Sequence, residues 1–260
     1  MARLGQNFLH DPNLLDAIVR DSGLGSGQTV LEVGAGEGVL TTRLAEVSGF
    51  VHVIEIDRTL EPGLTDLIKL PNVEFIWGDA MKVDLAELDP PPVAMVANLP
   101  YSVAVPLLVK TLVELPTLER WTVMVQREIA ERLTASPGTR QYGAPTVTLS
   151  SAAEIRMVRK VGREVFTPRP QVDSAVLSMV RTGPPPDGDL RRLVRASFAH
   201  RRKALARSVD TAVPGTFERV RDAVERAGLD PAIRAEALEP EAFILLSESI
   251  GPLEGSDERA

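Results

Sequence analysis

Residues 29–38 read Thr29-Val30-Leu31-Glu32-Val33-Gly34-Ala35-Gly36-Glu37-Gly38. A short run rich in β-branched residues breaks into a glycine turn, and residues 39–47 then take helical spacing, which predicts strand, turn and helix. Outward from this stretch, further strands are expected at 50–56, 73–76, 93–97 and 121–125, with helical stretches between most of them. That alternation demands a mostly parallel α/β sheet with right-handed crossovers. In such sheets a ligand sits beyond the carboxyl ends of the strands, near the point where strand order reverses.

Composition narrows the chemistry. The 260 residues include no cysteine and three histidines, His10, His52 and His200, so thiolate metal sites, disulfides and a cysteine nucleophile are excluded and a histidine metal cage has little to draw on. No metal is expected. With 44% hydrophobic and 25% charged residues, and no apolar run of membrane-spanning length, the chain reads as a soluble globular protein. Its opening residues do not read as a secretory signal, so a cytoplasmic location is expected. The net charge of −7 conceals a segregation. Residues 1–119 sum to −10, residues 120–207 to +10 and residues 208–260 to −7. A middle third rich in arginine can present a positive face to an anionic partner despite an acidic average.

Gly183-Pro184-Pro185-Pro186-Asp187-Gly188 reads as a linker. It separates an α/β domain, 1–182, from a small helical domain, 189–250, followed by a tail, 251–260, expected to be disordered. A monomer is expected.

The strand ends carry the candidate chemistry. Gly34, Gly36 and Gly38 let the backbone turn sharply and approach a ligand, but their G-x-G-x-G spacing is wrong for cradling a pyrophosphate. Glu55 ends the second strand and can accept ribose hydroxyls, with Asp57 two residues on. Asp79, in Trp77-Gly78-Asp79-Ala80, follows the third strand and can accept from an adenine amine. Glycine turn, ribose acid and adenine acid together describe a site for an adenosine without a phosphate clamp. The fourth strand runs into Asn98-Leu99-Pro100-Tyr101. Pro100 fixes its own φ and pushes Leu99 out of helical geometry, Asn98 offers a side-chain carbonyl and Tyr101 an aromatic face. Acceptors beside a stacking ring suit a nucleobase amine brought out of its helix.

At this point the chain resembles the KsgA-type ribosomal RNA adenine dimethyltransferases, which use S-adenosylmethionine. The resemblance rests on Gly5-Gln6-Asn7-Phe8-Leu9 with Asp11, the 30–38 glycine segment, Val53-Ile54-Glu55-Ile56-Asp57, Gly78-Asp79-Ala80, Asn98-Leu99-Pro100-Tyr101, residues 165–176 around Phe166-Thr167-Pro168-Arg169-Pro170, and residues 197–203. It implies a Rossmann-like methyltransferase sheet in which Asn7, Leu9, Gly34, Glu55, Asp79 and Asn98 line the cofactor site, with Gly36 and Ala80 beside them. It further implies that Asn98 and the Leu99 carbonyl, shaped by Pro100, hold the target amine while Tyr101 and Phe166 stack on the flipped adenine. The implied product is N6,N6-dimethyladenosine in small-subunit (16S) rRNA, made during ribosome biogenesis, and the implied partner is that rRNA or an assembly intermediate. The run Ser102-Val103-Ala104-Val105-Pro106 departs from the family by lacking its usual polar residues.

For RNA docking the candidates are Arg191, Arg192, Arg195, Arg201, Arg202 and Lys203, with Arg207, spaced as if around one helix; Arg156, Arg159, Lys160, Arg163 and Arg169 extend the basic track. Three rival readings remain. An Erm-like enzyme would methylate large-subunit rRNA and confer antibiotic resistance. A non-catalytic ribosome-assembly or RNA-binding factor would share the fold. A nicotinamide dehydrogenase would share the sheet and ribose acid but leaves Asn98-Leu99-Pro100-Tyr101 unexplained.

Overall fold

The computed structural model describes residues 7–253. Gly5 and Gln6 of the first family segment, and residues 254–260 of the expected tail, lie outside the described residues. In chain order the elements are β1 (Phe8–Leu9), α1 (Pro12–Ser22), β2 (Thr29–Val33), α2 (Val39–Val47), β3 (Phe50–Glu55), α3 (Thr65–Ile68), β4 (Val73–Trp77), β5 (Ala94–Asn98), α4 (Ala104–Glu114), β6 (Arg120–Gln126), α5 (Arg127–Leu133), α6 (Ala144–Ser150), β7 (Ala153–Val161), β8 (Phe166–Thr167), β9 (Ser174–Arg181), α7 (Gly188–Ala199), α8 (Leu205–Ala212), α9 (Phe217–Arg226) and α10 (Pro240–Ile250).

Seven strands form one sheet in the order β4-β3-β2-β5-β6-β9-β7. The five expected strands pair in parallel, β2 with both β3 and β5, while β9 runs antiparallel to β6. Every residue of β2 is buried, as a central strand covered on both faces requires. Strand order reverses between β2 and β5, so their carboxyl ends, Val33 and Asn98, flank the switch point. Helix α1 starts sharply because Asp11 accepts a 2.8 Å bond from the Leu14 N–H and Pro12 opens the first turn. It ends at Gly23 in the left-handed conformation. Its buried face, Leu15 and Ile18, joins Val30, Leu44, Val51 and Val53 in the sheet's core.

The chain divides into two compact units, one comprising the chain up to Glu131 with Glu154–Thr182, the other Arg132–Ala153 with the chain from Gly183 onward. The contiguous 1–182 division expected from sequence is therefore corrected. Residues 132–153 lie on the sheet's side of the linker in sequence, yet Tyr142 and Val147 are buried among Leu190, Leu193, Leu205 and Phe243 of the helical unit. The Tyr142 hydroxyl donates 2.7 Å to the Leu238 carbonyl. The linker is also one residue shorter than expected, because Asp187 caps α7 by accepting from the Leu190 N–H at 2.7 Å and the helix begins at Gly188.

Candidate functional site

The glycine turn is shaped by its neighbours as well as its composition. Gly34 has φ +83°, and a side chain there would point at the Asn98 carbonyl 3.7 Å away, so the end of β2 passes close to the end of β5. Gly36, at φ +57°, faces the Phe8 ring, which a Cβ would meet at 3.0 Å. Its N–H donates to Glu55 Oε2 at 3.0 Å, and the Asp57 N–H donates to Glu55 Oε1 at 2.9 Å. Glu55 is buried, and these two backbone donors hold its carboxylate in one orientation at the mouth of the turn. Each oxygen keeps a second lone pair with which to accept a ligand hydroxyl. Asp79 is set in the same way, one oxygen accepting from the Met81 N–H at 3.0 Å.

Around these groups lies a cavity of about 520 Å³ at the switch point, within the range of small-molecule sites. Asn7, Leu9, Gly34, Gly36, Glu55, Asp79, Ala80, Asn98, Leu99, Pro100 and Tyr101 all contribute to its wall. The structure thus brings together every cofactor-site residue expected from sequence, and all but one of the target-site set. The exception is Phe166. It pairs with Leu9 across the β1–β8 ribbon and is 4% exposed in the hydrophobic core, so it does not line the cavity.

At the end of β5, the Leu99 N–H is taken by the Met124 carbonyl at 3.0 Å and the Pro100 carbonyl by the Val103 N–H at 3.2 Å. The Asn98 amide nitrogen makes a long 3.5 Å contact with the Asn7 carbonyl, which directs its oxygen away from that partner. Tyr101 is held by a 2.8 Å bond between its hydroxyl and Ser174. Burial pushes its phenol above the ordinary range, so the ring stays neutral at physiological pH.

Residues 1–251 match the family described as ribosomal RNA adenine dimethylase. The chain belongs to that family. It is 40% identical over 254 residues to the ribosomal RNA small subunit methyltransferase A of Rubrobacter xylanophilus, covering 96% of this chain and 95% of that one. Among solved structures, a dimethyladenosine transferase from Plasmodium falciparum superposes with a TM-score of 0.79 at 25% identity, covering 92% of this chain and 95% of the other. The 23S rRNA methyltransferase ErmE superposes at 0.67 with 30% identity, covering 94% and 99%. The sheet described above is the Rossmann-like methyltransferase sheet of this family.

One acid of this family member escaped the sequence reading of the site. Glu32, the fourth residue of β2, lines the cavity and is 1% exposed. Its Oε2 has no hydrogen-bond partner among the described residues. Burial pushes its carboxyl up to about 8, opposed by the neighbouring Thr41 hydroxyl and aided by the charge on Glu55. The available signal was an acid inside a run otherwise suited to a strand buried on both faces.

The helical unit distributes the expected RNA-contact residues differently from the single-helix picture. Arg191, Arg192 and Arg195 lie on α7, whereas Arg201, Arg202 and Lys203 occupy the turn before α8. Several have internal partners: Arg192 bonds the Leu253 carbonyl, Arg201 the Arg140 carbonyl and Glu236, and Lys203 the Thr211 hydroxyl. Arg195 and Arg202 are exposed. In the sheet unit, Arg159 is committed to Asp21 through bonds of 2.5 and 2.9 Å and Arg156 to Glu154, which weakens the case for them as extensions of the track. No group of acids and histidines able to hold a metal occurs among the described residues, and none of their helices is long and apolar enough to cross a membrane.

Proposed function

We propose that this chain transfers methyl groups from S-adenosylmethionine to the exocyclic amine of adenosines in small-subunit ribosomal RNA, twice per adenosine, as a cytoplasmic monomer acting during ribosome assembly. The observation that carries this reading is that the Asn98-Leu99-Pro100-Tyr101 turn and the Glu55 and Asp79 carboxylates share one cavity. The residues fit the cofactor. Glu55 presents acceptors to a ribose, Asp79 to an adenine amine, and the buried Glu32 oxygen without a partner among the described residues offers an acceptor to a donor such as an amino-acid ammonium.

When bound, S-adenosylmethionine supplies an electrophilic methyl group on a sulfonium. The protein's part is positional. Asn98 Oδ1 and the Leu99 carbonyl accept the two N–H bonds of the target amine and turn its lone pair toward the cofactor half of the cavity. Tyr101 gives the extruded base a face to stack on, and Phe166, packed against Leu9, supports the β1 residues that line the cavity as a positioning residue. Holding two reactants in line lowers the barrier by up to about 7–11 kcal/mol. The amine nitrogen would form its bond to the methyl carbon as the carbon–sulfur bond breaks and its electron pair goes to sulfur, leaving a neutral thioether. The cationic nitrogen would then shed its proton to water without a strong base. Exposed Arg195 and Arg202 meet RNA phosphates, with Arg191, Arg192, Arg201 and Lys203 around them.

The test is to incubate the protein and labelled S-adenosylmethionine with under-methylated small subunits, large subunits and naked rRNA, then map modified nucleotides by mass spectrometry. Dimethyladenosine confined to the small subunit is expected. Label in large-subunit rRNA would instead favour the reading suggested by the likeness to ErmE, and cofactor binding without transfer would favour an assembly factor.

A further inference from the structure

A second cavity, of about 400 Å³, opens at the carboxyl end of β6. Its walls include Gln126, Arg127, Arg163, Gln171, Val172 and Asp173. It is framed by the fold: the Arg127 N–H donates to the Asp173 carbonyl at 2.9 Å, tying the start of α5 to the entry of β9, and Arg163 donates to the Gln171 carbonyl at 3.1 Å. Gln126 pairs in register with Ser174, and Ser174 holds the Tyr101 hydroxyl. One rung of the sheet therefore separates this cavity from the ring that lines the cofactor cavity.

Its chemistry discriminates between ligands. Two guanidiniums, on Arg127 and Arg163, face three carboxylates, on Glu128, Glu131 and Asp173, and Arg127 already lies 2.8 Å from Glu131. That excess of acid disfavours a phosphate. A neutral planar group suits it better. Gln126 and Gln171 each offer an amide donor beside an acceptor, the pattern that matches a base edge, and Val172, 45% exposed, gives an apolar surface. A nucleotide extruded from its helix leaves its neighbour unstacked, and that base needs a new surface.

We propose that this cavity takes the base of the nucleotide adjoining the methylated one. The inference rests on the proposed function and adds a specificity subsite to it. The test uses under-methylated small subunits assembled with rRNA in which the base on either side of the target adenosine is replaced or removed, with unaltered subunits as control. For the wild-type protein, one of the two replacements should raise KM at least about tenfold, the size of one well-made base contact, with kcat nearly unchanged. For Gln171→Ala, an exposed loop substitution, the same replacement should change KM less than twofold. Wild-type indifference to both neighbours, or equal sensitivity in Gln171→Ala, would overturn the subsite while leaving the proposed function intact. Failure to methylate the unaltered subunits would overturn both.

Discussion

The hydroxyl of Tyr101 lies 2.8 Å from the hydroxyl of Ser174, a fully buried residue of the antiparallel strand β9. The aromatic wall of the cavity is thereby anchored to a strand that contributes nothing else to it. If the ring acts as a stacking face, Tyr101→Phe should keep kcat/KM within about fivefold, since one neutral hydrogen bond contributes about 1 kcal/mol. Tyr101→Ala should lose a further tenfold or more, base stacking contributing about 1–3 kcal/mol. Equal loss in both variants, measured by single-turnover methylation, would show that the hydroxyl matters and the ring does not.

Asn98→Ala should leave S-adenosylmethionine affinity within a few-fold by calorimetry yet slow transfer by about 10²-fold or more, the scale of a misplaced reactant. Unchanged turnover would remove the assigned role.

Glu55 serves two backbone N–H groups at once. Glu55→Gln therefore turns an amide donor toward one of them, and it should weaken cofactor binding at least about tenfold rather than rescue Glu55→Ala. Calorimetric titration of the two variants decides the point: affinity close to wild type in Glu55→Gln would show that charge and dual acceptance are dispensable.

Glu32 links stability to pH. Its carboxyl ionises near 4.5 when free and is held protonated up to about 8 in the fold. The folded chain binds the extra proton across that window, so stability falls as pH rises from about 4.5 to 8 and then levels. At about 1.4 kcal/mol per unit, the full effect is roughly 5 kcal/mol. Glu32→Gln should melt close to wild type at pH 5 and above it at pH 8.5. A Tm difference independent of pH would contradict this.

If Arg202 meets a phosphate, Arg202→Ala should reduce the slope of log K against log salt by about 0.7–0.9 for rRNA binding. An unchanged slope in filter-binding titrations would take Arg202 off the interface.

Much of this was legible in the sequence because parallel strands buried on both faces leave runs rich in apolar and β-branched residues, and 29–33, interrupted by Glu32, and 121–125 are such runs. The two cavity acids, Glu55 and Asp79, follow from their place at strand ends. What hid was structure without local periodicity. In β7, Arg156 and Lys160 take exposed positions of the alternation and Arg159 a less exposed one; together they read as a basic track, although Arg159 in fact pairs with Asp21. The apolar run of β9 gave no sign that it would extend the sheet antiparallel to β6, because strand direction is set by tertiary pairing. Phe166 carried the family's signal for a stacking ring, but the β1–β8 pairing turned it into the core.

The backbone passes between the two compact units at 131/132, 153/154 and 182/183. A chimaera made by cutting at the proline-rich linker would therefore import an incomplete hydrophobic core and strand Tyr142 and Val147 without their packing partners. Transplanting the helical unit between relatives requires two coordinated exchanges, of 132–153 and of the chain beyond 183. A single crossover would be expected to yield insoluble protein whatever its effect on RNA choice.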